Sequence, residues 1–380
     1  MGGDDELTAR ARRWASTMSG HRSEVAGMRQ AHAGTAFDVG AVQVLDREAR
    51  EAEESDFMAP GATRSRGAGN RPREESPDPW RTCFERDRDR ILHEATAFRR
   101  LAGKTQVFIF PDDHQRTRLT HALEVAQVAR AIASALRLNV ALAEAVALGH
   151  DCGHGPFGHA SEDALDPLVP GGFDHAPWGA DITLAGLNLT YEVSDGIRNH
   201  SWSRPAPATP EGEVCALADR MAYATHDAED AGRAGIVNLG DLPRTVVERA
   251  GSTRSRQLNA FITDVVVTSQ RHSAIGLSTD MAEALAALRS WDYERIYLRP
   301  DSAGQYRAVH RMLGALVEHY AAHPADLPGA TVLGSDDDLA RAAVTYVAGM
   351  TDRFACTQAE RLLSWPRSEM PEGFDVPTSR

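Results

Sequence analysis

Three apolar helical stretches, far apart in the chain, each carry a residue of the kind that grips a metal ion. His121 opens the run 120–136, the doublet His150-Asp151 closes the run 140–148, and Asp219 sits inside Ala216-Leu217-Ala218-Asp219-Arg220-Met221-Ala222-Tyr223. Burying a charge without a partner costs several kcal/mol. A lone histidine on an apolar face is usually a satisfied core residue, but three such stretches together need a shared partner. The spacing therefore predicts helices packed so that His121, His150, Asp151 and Asp219 meet at one divalent ion per subunit. Two imidazoles and two carboxylates suit Mn, Mg, Fe, Co or Zn and leave positions open for water and phosphate oxygen.

The pattern around these residues is that of an all-α chain. Apolar residues at Leu123, Val125, Ala126, Val128, Ala129, Ile132, Ala133 and Leu136 recur at helical spacing, and Asn139 is placed to cap the next helix. Further helices are expected over 160–165, 179–187, 214–231, 242–250, 252–269, 279–297, 302–321 and 337–363. A charged amphipathic helix is expected from Phe84 into Leu101. Strand signals are few, the clearest being Val107-Phe108-Ile109-Phe110, ended by the turn Pro111-Asp112-Asp113.

Residues 1–75 are loosely specified, with helical composition over 5–30 and 42–54. Residues 59–77 are rich in Gly, Arg, Pro and Ser and read as a mobile linker or loop. Residues 76–380 read as the main domain, with the site mainly within 98–235 and a C-terminal helical portion over 236–380.

A net charge of -13 over 380 residues argues against bulk attraction to nucleic acid or an anionic membrane, so a polyanionic substrate needs a local basic pocket. The N-terminus lacks a signal-peptide pattern and no apolar run approaches ~20 residues, so a cytoplasmic protein is expected. The four cysteines form no CxxC pair. All but one of the 41 basic residues are arginine, and the exception is Lys104. A compact ammonium fits against phosphate where a planar guanidinium is too wide, although a single surviving lysine can also be chance.

The loop His150-Asp151-Cys152-Gly153-His154-Gly155-Pro156-Phe157-Gly158-His159 is irregular by composition and places His154 and His159 near the metal. His159 and Glu162 share a face at three-residue spacing, which suits acid/base work because the carboxylate orients the imidazole. Asp219, Tyr223 and Asp227 follow one another at i, i+4 and lie along one helix face, where a ring can pack on a sugar and a carboxylate can accept its hydroxyl. The plainer alternative is an acidic solvated face.

At these residues the chain resembles the HD-domain deoxynucleoside triphosphate triphosphohydrolases, in their bacterial dGTPase-like branch. The resemblance covers about residues 80–235 and is carried by Arg86-Asp87-Arg88-Asp89-Arg90-Ile91, Lys104-Thr105-Gln106-Val107, Arg116-Thr117-Arg118-Leu119-Thr120-His121, the loop from His150, and Asp219 through Asp227. Weaker echoes lie at 296–299 and 346–352. The resemblance implies metal ligation by His121, His150, Asp151 and Asp219. It also implies that His154, His159, Glu162 and His175 line the reacting phosphate and that Lys104, Arg118 and Arg220 contact phosphate. Tyr223 would pack on the sugar, with Asp227 and Gln106 reading the 3′-hydroxyl. A sugar held that closely leaves no room for a 2′-hydroxyl.

The implied reaction is attack of metal-activated water on the α-phosphorus of a dNTP, releasing deoxynucleoside and inorganic triphosphate. His159, oriented by Glu162, would protonate the departing 5′-oxygen. The family commonly forms oligomers, so a homo-oligomer is expected. Phe173-Asp174-His175 departs from the family in running into Ala176-Pro177-Trp178 rather than Asn and Gln in a regular helix. A phosphohydrolase for another nucleotide and a non-catalytic nucleotide sensor are the competing readings.

Overall fold

The computed structural model describes residues 3–23, 25–35, 39–108, 115–328 and 336–371. Among them are sixteen α-helices and one two-stranded sheet, as expected for an all-α chain. None of these helices is long and apolar enough to cross a membrane.

The chain divides after Leu45, not near residue 75. The smaller unit holds the helix Gly3–Thr17 and an antiparallel pair of two-residue strands, with His21 opposite Gln30 and Arg22 opposite Arg29. Its helix ends at Thr17 rather than continuing to Gln30. The expected mobile linker over 59–77 is instead a loop tied into the larger unit. Thr63 donates its backbone N–H and hydroxyl to the buried Glu211, at 3.1 and 2.7 Å. Ser65 donates to Glu54, and the Arg71 guanidinium pairs with the fully buried Asp87. These are charges that burial would penalise unless each found a partner.

Two apolar cores build the larger unit. The first gathers the helices Cys83–His93, Arg118–Ala135, Val140–Gly149, Tyr191–Arg198 and Pro210–Arg233, and extends into Arg254–His272 and Thr279–Asp292. Asn139 caps the helix Val140–Gly149: its side chain accepts from the Leu142 N–H, a contact worth about 1 kcal/mol. The second core joins the helices His159–Leu165, Pro300–Ala322, Asp336–Ala348 and Asp352–Leu363.

Several expected helices are shorter or broken. The amphipathic helix from Phe84 stops at His93 and restarts as Thr96–Arg100. Residues 179–187 form a π-turn and a 3-10 turn, Gly179–Thr183 and Ala185–Leu187. The helix over 279–297 changes to a π-turn at Tyr293–Tyr297. Residues 337–363 split at Gly349-Met350-Thr351, where the Thr351 hydroxyl caps a new helix by accepting from the Phe354 N–H. Val107 and Phe108 are not in a strand, and Ile109 and Phe110, with the turn at 111–113, lie outside the described residues.

Candidate active site

His121 comes from the first turn of Arg118–Ala135, His150 from the C-cap of Val140–Gly149, and Asp219 from the middle of Pro210–Arg233. The fold brings them together. His121 Nε2 lies 3.0 Å from Asp219 Oδ1, and His150 Nε2 lies 3.5 Å from the same oxygen. Asp151 Oδ1 is 3.3 Å from His150 Nε2. His121, His150 and Asp219 each offer a ligand atom within 4.8 Å of the others, and so do His150, Asp151 and His200.

This set fits a divalent cation. His150 is fully buried, its Nδ1 faces the Ala147 carbonyl at 2.6 Å, and its Nε2 has no hydrogen-bond partner. A histidine tied through one nitrogen to a backbone carbonyl presents the other as a ligand. Burial alone would lower the His150 pKa, but Asp151 and Asp219 outweigh it and raise it to about 9. Burial works against both carboxylates too, yet the imidazoles, with Arg118 beside Asp151, hold them well below the usual carboxylate range. His121, His150 and Asp219, with Asp151 beside His150, thus form a set that could hold a metal ion.

The loop after the doublet is held from three sides. A Cβ on Gly153 would stand 2.0 Å from the His175 carbonyl oxygen, so only glycine allows that approach. Gly158, at φ +62°, leaves the space that the Arg118 guanidinium fills. Phe157 is a buried aromatic residue at φ +64°, an unfavourable backbone for any side chain, and Asp352 accepts its N–H at 2.7 Å. Asp352 also takes the Thr105 N–H and hydroxyl, at 2.8 and 2.6 Å. The break at residues 349–351 thus lets the last helix brace the loop.

A cavity of about 670 Å³ opens over this centre at the seam of the two cores. Arg118, His121, Asp151, His159, Glu162, His175 and Asp219 line it, and so do Gln106, Arg220, Tyr223 and Asp227. Arg118 is 1 % exposed; one nitrogen pairs with Asp151 Oδ2 at 2.8 Å, while Nε and its other terminal nitrogen are unpartnered. A buried guanidinium with idle donors is a receptor for phosphate oxygens. Glu162 accepts from His159 Nδ1 at 2.8 Å and His175 Nδ1 at 2.6 Å. Burial raises its pKa, but His175 and His159 overcome this and hold it well below normal. His154 does not line the cavity; it is buried and stacked on His175, with ring centroids 3.7 Å apart.

Along the helix Pro210–Arg233, Tyr223 and Asp227 follow Asp219 by successive turns. The Tyr223 hydroxyl accepts from Arg289 Nε at 2.8 Å, and Tyr297 donates to Asp227 Oδ2 at 2.6 Å. Asp227 Oδ1 and Gln106 Oε1 are buried without partners. Burial raises the Asp227 pKa to about 6 against the opposing Tyr297 hydrogen bond. Arg220 lies over the Trp202 ring, 3.9 Å from its centroid.

Lys104 stands elsewhere. Its Nζ donates to the His154 carbonyl and, at 2.9 Å, to the Ala348 carbonyl, and it is not among the residues lining the cavity. The expected phosphate contact is therefore a strut behind the loop, and burial lowers its pKa to about 7. His200 is the residue that sequence reasoning missed. It is 2 % exposed, lines the cavity, and places Nε2 3.1 Å from His175 Nε2. Its signal was the apolar face Val193, Gly196, Ile197, which His200 continues at the next helical step.

Comparison with known proteins agrees with this architecture. The HD domain family matches residues 118–224, and the phosphohydrolase-associated domain matches residues 275–361. A deoxyguanosinetriphosphate triphosphohydrolase-like protein of Caldanaerobacter subterraneus subsp. tengcongensis is 41% identical over 317 residues, covering 81% of this chain and 93% of that protein. Proteins of the same name from Desulfatibacillum aliphaticivorans and Roseobacter denitrificans are 39% and 36% identical. They cover 83% and 81% of this chain, and 97% of each relative is matched.

Proposed function

The chain belongs to the deoxyguanosinetriphosphate triphosphohydrolase-like family of HD-domain nucleotide phosphohydrolases, and from that premise we propose that it cleaves a deoxynucleoside triphosphate, dGTP or a related dNTP, to deoxynucleoside and inorganic triphosphate. One observation carries this reading. A single cavity joins the His/Asp cluster and the idle donors of Arg118 to the idle acceptors of Asp227 and Gln106. Asp219 and Asp227 are eight residues apart on one helix, about 12 Å of rise, which leaves room for a phosphate and a deoxyribose in series.

A divalent cation held by His121, His150, Asp151 and Asp219 supplies Lewis-acid stabilisation of phosphate charge and a lowered pKa for water. The protein's own groups do the rest. Arg118 takes non-bridging phosphate oxygens with the donors that Asp151 leaves free, and Arg220, backed by Trp202, adds positive charge at the cavity wall. His159, held through Nδ1 by Glu162, delivers the Nε2 proton to the departing 5′-oxygen. Tyr223 packs on the deoxyribose, its ring fixed through its hydroxyl by Arg289. Asp227 Oδ1 and Gln106 Oε1 accept the 3′-hydroxyl. The wall formed by Tyr223 excludes a 2′-hydroxyl, which favours deoxynucleotides.

Incubating the purified protein with each dNTP and NTP, with Mn or Mg added, and resolving products by chromatography tests the reading. Deoxynucleoside and intact triphosphate in equal amounts are expected. Release of pyrophosphate or orthophosphate, or cleavage of only monophosphates or cyclic nucleotides, would replace it with another HD phosphohydrolase activity.

A further inference from the structure

Resting on the hydrolysis proposed above, we infer that Asp352, which stands outside the cavity lining, is the positioning residue that sets both Arg118 and His159 towards the phosphate.

The two oxygens of Asp352 serve different segments. Oδ1 accepts the Phe157 N–H at 2.7 Å, and Oδ2 accepts the Thr105 N–H and hydroxyl at 2.8 and 2.6 Å. The carboxyl is fully buried at the start of the helix Asp352–Leu363, where the helix dipole favours an acidic group.

The Oδ1 arm fixes the loop. Phe157 is held at φ +64°, where an L side chain crowds its own backbone, and without a partner for its N–H it would relax to negative φ. Gly158 follows, and a Cβ there would collide with Arg118 Nη2, one of the donors that Asp151 leaves idle. The Gly158 carbonyl then accepts the Ser161 N–H and hydroxyl, at 2.9 and 2.6 Å, which starts the helix whose first residue is His159. A rotation at Phe157 therefore moves the seat of Arg118 and the backbone of His159 together.

The Oδ2 arm reaches Arg118 from behind. Thr105 makes an antiparallel bridge to Thr117, which caps the helix carrying Arg118 and His121. The neighbouring Lys104 carbonyl accepts the Arg118 backbone N–H at 3.2 Å. Residues 348–352 are anchored in turn on 100–105. Arg100 donates to the Gly349 carbonyl at 3.0 Å and Lys104 Nζ to the Ala348 carbonyl at 2.9 Å. A Cβ on Gly103 would stand 3.0 Å from the Thr351 methyl, so the two segments pack closely. The end of the phosphohydrolase-associated region, which carries none of the four proposed ligands, thus governs the geometry of the site.

Full-length D352N, isosteric with one acceptor oxygen left, and D352A, with none, test this against the unsubstituted protein. For dNTP hydrolysis per folded molecule, kcat should fall from unsubstituted protein to D352N to D352A. The loss in D352A should be about 10–100-fold, with KM changing less than kcat and metal content unchanged. Amide hydrogen exchange on the same samples should show Phe157 and Thr105 opening at least about tenfold faster in D352A. A residue that served stability alone would leave kcat per folded molecule unchanged, and that result overturns the proposal. Unchanged protection of Phe157 and Thr105 overturns it too. If D352A does not fold, D352N decides by the same two readouts. Should the unsubstituted protein cleave no dNTP, the proposed function falls, and the exchange rates still decide whether Asp352 sets the loop.

Discussion

At one end of the cavity, Arg118, His121, Asp151 and Asp219, with His150 behind them, crowd buried charges and imidazoles into contact; two helical turns further along Pro210–Arg233, Tyr223, Asp227 and Tyr297 form a wall of phenols around one carboxylate. The first end has carboxylates held far below their usual pKa and a histidine nitrogen without a hydrogen-bond partner. At the second end Tyr223 and Tyr297 each have a hydrogen-bond partner, while Asp227 Oδ1 and Gln106 Oε1 are idle. On the proposed function the reactive end would need an ion for activity, while the sugar end is held by its own hydrogen bonds.

Substitutions should separate the two ends. The largest effect is expected from H150A or D151A, which remove a ligand and leave charge unpaired. Turnover should fall roughly 10³-fold or more, with loss of bound metal measured on the same samples. Retained metal and activity in either variant would remove the centre from the reaction. H159Q comes next, with kcat lowered about 10²–10⁴-fold and KM little changed, because His159 acts on the leaving group and not on binding.

At the sugar end the loss should appear in binding. D227N removes a buried acceptor for the sugar hydroxyl and should weaken substrate binding by about 1–3 kcal/mol. Asp227 has a pKa raised by burial to about 6, so the unsubstituted protein should show KM rising as pH falls through that value. D227N should lack this rise, and an identical KM profile in both proteins would exclude Asp227 as the reader. Y223A should cost about tenfold in the preference for dNTP over NTP, read as a ratio of kcat/KM values.

Lys104 should matter least to chemistry and more to stability. K104M leaves the His154 and Ala348 carbonyls without their donor, a loss of about 1–3 kcal/mol in a denaturant melt. Its folded pKa of about 7 lies below the ordinary 10.5, so the unfolded chain binds more protons between those values. Stability from this group therefore rises with pH across that window, and K104M should lose that component of the rise.

The meeting of His121, His150 and Asp219 could be read before the fold was known because helical periodicity puts them on apolar faces, where a charge needs an explanation. The Asp219–Tyr223–Asp227 column follows from the same spacing. Lys104 stood out by composition, but nothing in the chain says that its partners are two carbonyls, one of them 244 residues away. His200 continues the apolar face of Val193, Gly196 and Ile197, but its place beside His175 is set by a contact between residues 25 apart, which local spacing does not carry. The split at Gly349-Met350-Thr351 is set by Asp352 reaching Thr105 and Phe157, a long-range demand that local propensity does not carry.

Hydrolysis of dGTP in ¹⁸O-labelled water, with mass analysis of both products, tests the bond that breaks. The expected result is label in inorganic triphosphate, unlabelled deoxyguanosine and no pyrophosphate. Label in the deoxyguanosine, or pyrophosphate as the labelled product, would contradict water attack at the α-phosphorus with departure of the 5′-oxygen.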